Sequence, residues 1–153
     1  MKISSLLATW FGCGLAPKAP GTVGTLGGLL VAWPLVHYAG FGPWHFVVLT
    51  ALVTPIGIWA AQKTIDETGN QDPQRVVIDE VLGVWLTLAG ASHFNWQCWV
   101  LAFALFRIFD ITKPFPVRNL EKLHGGTGVI VDDLGAGVYA AVVLAVAGWF
   151  NLY

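Results

Sequence analysis

The chain has 153 residues, of which 56% are hydrophobic and 11% charged, with a mean hydropathy of +0.66 and a formal net charge of −1. A soluble domain carries about 25% charged residues, so too few remain here to solvate a compact globule, and part of the surface is expected to face lipid. The weak net charge and the lack of a Lys/Arg stripe exclude an electrostatic nucleic-acid binder, and Cys13 and Cys98 show neither metal-ligand spacing nor a disulfide framework.

In chain order, Lys2 precedes a mildly apolar run from Ile3 to Ala16 that loosely mimics a signal peptide. Ser4, Ser5, Thr9, Gly12 and Gly14 interrupt it, and it reads as retained. A Gly- and Pro-containing loop, Leu15–Thr25, follows and opens the first of five apolar stretches: Thr25–Ala39, Trp44–Ala61, Val76–Ala91, Trp96–Asp110 and Val129–Phe150. None shows sustained strand-like alternation, so each is read as a helix. Only the last reaches the roughly 20 residues that cross a bilayer core, and the others need local thinning or snorkelling flanks. The expected fold is all-α: a single domain over residues 1–153, built as a small polytopic membrane bundle of about five helices, some short or partly inserted.

If all five helices cross, the loops alternate between two faces. Lys2, Lys18, Lys63, Arg75, Arg107, Lys113, Arg118 and Lys122 then gather on or near one face, together with every Asp and Glu. The other face carries no charged side chain, and Trp44, Trp96, Trp99 and Trp149 lie near it as an interfacial belt would. The positive-inside rule makes the charged face cytoplasmic.

Some of these charges are embedded in apolar helices. Asp79 and Glu80 lie one turn into the third, Asp110 ends the fourth, and Asp132 and Asp133 lie one turn into the fifth. Ionisable groups at such positions are costly and face the protein interior with a partner. The partners can be Arg75, Arg107, Lys113 or Arg118, or a divalent cation shared by several acids; as a set, the acids favour a hard cation such as Mg²⁺ or Ca²⁺. Adjacent residues on a helix point about 100° apart, so the two members of Asp79/Glu80 or Asp132/Asp133 are not expected to be equivalent ligands.

Two Gly-rich loops approach the same face. Leu15–Thr25 offers Lys18 and the hydroxyls of Thr22 and Thr25 as anion donors but lacks the order of a nucleotide P-loop. His124–Gly128 leads into Asp132 and Asp133, behind a proline-stiffened connection that carries Lys113 and Arg118. Cations beside a metal cluster suit a phosphate ligand. His37, His45 and His93 belong to the other face, neither cysteine has Arg six residues on, and no Ser–His–acid set is apparent. Metal-assisted hydrolysis with water as nucleophile remains. The reading from another class is a small cation-coupled transporter or channel with intramembrane carboxylates, which requires acids spread along a path through the membrane.

Four blocks together resemble the phosphatidylglycerophosphatase A family: Leu15–Thr25, Ile78–Gly83 (Ile-Asp-Glu-Val-Leu-Gly), Phe106–Arg118 (Phe-Arg-Ile-Phe-Asp-Ile-Thr-Lys-Pro-Phe-Pro-Val-Arg) and His124–Gly137 (His-Gly-Gly-Thr-Gly-Val-Ile-Val-Asp-Asp-Leu-Gly-Ala-Gly). Their order and spacing match across nearly the whole chain. The resemblance implies a Mg²⁺-dependent phosphatase of the bacterial inner membrane, acting at the cytoplasmic face on phosphatidylglycerophosphate to give phosphatidylglycerol, with membrane lipid as its surroundings. On that reading Asp79, Glu80, Asp110 and Asp133 are catalytic and, with Asp132, form the metal set. Lys18, Lys113 and Arg118 contact the phosphate, Thr22 and Thr25 are secondary donors, and His124 is a candidate to protonate the leaving alkoxide.

Overall fold

The computed structural model describes residues 2–71, 73–120 and 122–153. Seven α-helices and no strand occur among these residues: α1 (Ile3–Ala8), α2 (Pro20–His37), α3 (Pro43–Thr68), α4 (Ile78–Leu88), α5 (Trp96–Thr112), α6 (Val117–Leu120) and α7 (Gly125–Trp149), with a single 3₁₀ turn at Cys13–Leu15. The five expected helices correspond to α2, α3, α4, α5 and α7. The additional α1 and α6 are too short for a hydrophobic period to reveal.

Helix starts follow local chemistry. Pro20 and Pro43 open α2 and α3, where a missing N–H costs nothing. Asn95 caps α5 by accepting from the Cys98 N–H at 2.8 Å, and Gly69, at φ 72°, closes α3 in the left-handed conformation that glycine adopts without strain.

α4 lies at the centre, packed by α2, α3, α5 and α7. Ile78, Val81, Leu82, Val84 and Leu88 are fully buried around it, and Trp85 donates its indole N–H to the Gly28 carbonyl of α2 at 2.9 Å. Its 11 residues rise only about 16 Å, roughly half a bilayer core. The expected crossing Val76–Ala91 is therefore a short inner helix, continued by irregular segments at both ends. Val76 and Val77 before it are buried, which satisfies the requirement that non-helical backbone at membrane depth be enclosed by protein.

The outer surface is apolar. α3 and α7 are long and apolar enough to cross a membrane, yet only 28% and 33% of their most apolar windows are buried in the protein. The core helix of a soluble protein would be mostly covered, whereas Leu52, Leu30 and Val142 are 68%, 76% and 57% exposed. With α2 and α5, of 18 and 17 residues, the molecule is a small helical membrane protein.

The bundle has two ends of different character. At one, Trp44, Trp96 and Trp149 are exposed, and the Tyr153 hydroxyl donates to Leu144 O and accepts from Ser92 N. Trp99 packs partly buried against Phe94. The charged side chains collect at the other end; Asp72 and Glu121, which the sequence also assigns there, lie outside the described residues.

Candidate active site

Glycines determine how the acids meet. α4 and α7 cross where a Cβ on Gly137 would lie 2.5 Å from the Gly83 carbonyl oxygen, and one on Gly83 would run into the Phe106 ring and the Asp133 carbonyl. Asp79 and Asp133 each precede their glycine by four residues, so both carboxylates stand one turn above the crossing. α5 brings Asp110 and Arg107 to the same depth.

Asp79, Glu80 and Asp133 each offer one carboxylate oxygen within 4.8 Å of the others. Asp79 and Asp133 are 8% and 2% exposed. The other two predicted acids are drawn toward cations. Asp110 accepts from Arg107 Nη1 and, at 3.1 Å, from Lys113 Nζ; Asp132 Oδ2 lies 3.1 Å from the same ammonium. Glu80 joins both groups through Arg107 Nη1 at 3.2 Å. The two adjacent pairs differ: Asp133 belongs to the close trio and Asp132 does not, whereas Asp79 and Glu80 both do.

Lys113 adopts a left-handed backbone (φ 44°) at the end of α5, which turns its side chain inward. Its Nζ lies 3.1, 3.1 and 3.2 Å from Asp110, Asp132 and Asp133. An ammonium has three donors, so all are engaged and none remains for a phosphate. Burial works against this charge, but the carboxylates of Asp133, Asp110 and Asp132 hold the ammonium well above the ordinary lysine range. Lys113 is the internal countercharge of the acids.

Five carboxylates face two cations here, a formal excess of three acidic groups. Asp132 Oδ1 and Asp133 Oδ2 are buried with no hydrogen-bond partner. Buried acceptors are normally satisfied, and hard oxygen donors with surplus negative charge suit a divalent cation. The residues fit Mg²⁺.

Two clefts reach the acids, and Asp79, Glu80 and Asp110 line both. The first, of about 490 Å³, runs along α7 and is also lined by Lys113, Asp132, Asp133, Lys122 and His124. The second, of about 470 Å³, lies on the α2 side between Pro17, Ala19–Gly21, Pro73–Gln74 and Arg107.

The remaining predicted residues are dispersed. Lys18 is exposed and lines neither cleft. Thr25 is fully buried and its hydroxyl donates to Gly21 O at 2.9 Å, so it serves α2 and not a ligand. Thr22 is half-buried and outside both clefts, and Arg118 is exposed, its Nη2 reaching Thr112 O at 3.4 Å. His124 does line the first cleft, as the residue that precedes α7.

The phosphate candidates drawn from sequence omitted Arg107, which pairs with Glu80 and Asp110 through Nη1 alone while lining the second cleft. Its spacing of three residues from Asp110 was the available signal. They also omitted Gln62, whose Oε1 accepts from Gly126 N at 2.8 Å and ties the start of α7 to α3.

A family model described as Phosphatidylglycerophosphatase A matches residues 6–148. The chain belongs to the phosphatidylglycerophosphatase A family. Curated relatives cover nearly its whole length. A Bacteroides thetaiotaomicron protein, provisionally named as a phosphatidylinositol-3-phosphatase, is 45% identical over 148 residues, covering 94% of this chain and 92% of its own. The Phosphatidylglycerophosphatase A proteins of Haemophilus influenzae and Escherichia coli are 42% and 39% identical over 146 residues, covering 94% of this chain and 88% and 82% of theirs. No solved structure gives a significant match. Family membership makes this chain a phosphoric monoester hydrolase, and the acid cluster is its candidate catalytic centre.

Proposed function

We propose that this protein removes the terminal phosphate of phosphatidylglycerophosphate with Mg²⁺, giving phosphatidylglycerol at the cytoplasmic face of the bacterial inner membrane. The observation that carries this reading is the trio Asp79, Glu80 and Asp133, with its oxygens within 4.8 Å and Asp133 Oδ2 unsatisfied. The family relationship supports the lipid, and the gathering of described cations at one end of the bundle supports the orientation.

Asp79, Glu80 and Asp133 would hold Mg²⁺, which supplies a Lewis acid for a phosphoryl oxygen and lowers the pKa of water bound to it. The chain's own residues do the rest. Lys113 and Arg107 neutralise Asp110, Asp132 and part of Glu80, so that the acids can share one depth. Arg107 has N–H groups beyond its two ion pairs, and these can reach phosphoryl oxygens from the second cleft. Phosphoryl transfer places the attacking and leaving oxygens roughly in line. Clefts on the α7 and α2 sides of one acid cluster suit that requirement, with the headgroup in the first and water entering from the second.

Transport is the weaker reading, because the embedded acids collect at one end and do not form a path through the bundle. A second substrate, phosphatidylinositol 3-phosphate, is favoured by the name of the Bacteroides relative. Both lipids carry a monoester beyond a phosphodiester. Phosphate release from each, in the same detergent, discriminates: the proposal expects the higher kcat/KM on phosphatidylglycerophosphate. Release from neither lipid, or cation flux in liposomes without phosphatase activity, refutes it.

A further inference from the structure

Any substrate of the class proposed above carries two phosphates, and only the monoester reacts. The diester joins the headgroup to the acyl-bearing glycerol and keeps one negative charge throughout. A site that serves such a lipid needs a second anion position, at a fixed distance from the first and nearer the membrane surface.

The first cleft has this form. Its floor is the acid cluster and its mouth is formed by Lys122, Leu123, His124 and Gly125. From Gly125 to Asp133 α7 rises about 12 Å. Along that rise the cations change in state. At the floor Lys113 is fully engaged by acids, whereas at the mouth neither the Lys122 nor the His124 side chain has a hydrogen-bond or ion-pair partner among the described residues, and both are exposed. The second cleft has no such pair, since Arg107 is the single cation among the described residues that lines it, and its Nη1 is paired to Glu80 and Asp110.

The mouth is held in position by its surroundings. Gln62 binds Gly126 N. A Cβ at Gly125 would strike Gln62, one at Gly126 would strike the backbone of α3, and one at Gly128 would strike the Leu123 carbonyl. The Lys122–His124 turn is thereby docked on α3 and α7. Leu123, between the two polar residues, is 47% exposed and offers an apolar contact at the mouth.

We propose that Lys122 and His124 form a second anion subsite, which receives the phosphodiester of a lipid whose phosphomonoester lies at the acid cluster. The assignment rests on the lipid-phosphatase reading. It also moves His124 away from protonation of the leaving group: at the mouth, the imidazole lies nearer the non-reacting phosphate than the scissile bond.

Short-chain phosphatidylglycerol, which carries the diester and no monoester, tests the subsite without turnover. It is titrated into the full-length protein in detergent, following tryptophan fluorescence, with inorganic phosphate titrated in parallel. The double variant Lys122→Ala/His124→Ala is expected to weaken phosphatidylglycerol binding about tenfold or more while inorganic phosphate affinity changes less than about twofold. The single variant Lys122→Gln should show an intermediate loss and Lys122→Arg should recover most of it. Unchanged phosphatidylglycerol binding in the double variant, or equal weakening of both ligands, overturns the proposal. Wild-type protein that binds phosphatidylglycerol through these residues yet releases no phosphate from any lipid monoester would refute the enzymatic reading and leave an anionic-lipid site.

Discussion

Gly83 of α4 and Gly137 of α7 lie against each other with no room for a side chain: a Cβ on Gly137 would sit 2.5 Å from the Gly83 carbonyl oxygen. One turn above this contact stand Asp79 and Asp133, both buried acids of the candidate centre. Packing and chemistry are therefore coupled through a four-residue spacing repeated in two helices.

Gly83→Ala and Gly137→Ala are expected to force α4 and α7 apart. Overpacking of this kind costs about 1–3 kcal/mol, and a displacement near 1 Å at a reacting centre lowers turnover about 10²-fold. Thermal melting in detergent and phosphate release, measured on the same samples, check both effects. Wild-type turnover in either variant would separate the glycine contact from the site.

Lys113→Met removes the cation that three carboxylates share. Breaking a buried ion pair costs about 3–5 kcal/mol, so this variant should melt well below wild type and lose activity. The pH dependence follows from the raised lysine pKa. A raised folded-state pKa gives stability that is fully present below the unfolded value and is lost as pH rises through the folded value. The Lys113 contribution should therefore hold across neutral pH and decline only in strong alkali, above about pH 10.4. Melting curves that lose the difference between wild type and Lys113→Met near pH 8 would contradict this account.

Arg107→Ala leaves Glu80 and Asp110 without their guanidinium partner and removes donors from the second cleft. A loss of about 10²–10³ in kcat is expected. Arg107→Lys should restore part of it, since the charge survives but the forked donors do not. Lys18→Ala and Arg118→Ala, exposed and outside both clefts, should lower kcat/KM by less than about fivefold. The reverse order of effects would return the phosphate-binding role to the loop cations.

Much of this was legible in the sequence because burial of charge is costly. Acids inside apolar stretches had to converge, and Asp79, Glu80, Asp110, Asp132 and Asp133 do. The five long apolar stretches became α2, α3, α4, α5 and α7 for the same reason. What the sequence concealed was depth and direction. Hydropathy cannot distinguish a crossing helix from one buried by its neighbours, so the 11-residue α4 read as a span. Nor does composition reveal which way a cation turns: the left-handed backbone at Lys113 points it into the acids, while Arg118, five residues on, remains exposed. The hydroxyl of Thr25 was spent within its own helix, an option open to any helical threonine. The Asp79/Gly83 and Asp133/Gly137 spacings were present but carry no meaning until the two helices are known to touch.

The central claim is that Asp79, Glu80 and Asp133 hold a divalent cation that lipid-phosphate hydrolysis requires. Phosphate release from phosphatidylglycerophosphate in detergent, by metal-stripped protein with Mg²⁺ titrated back, tests it most directly, with Asp133→Asn run beside wild type. The account predicts no turnover in EDTA, saturable recovery with Mg²⁺ in wild type, and no recovery in a folded Asp133→Asn protein. Full turnover in EDTA, or wild-type turnover in Asp133→Asn, would contradict it.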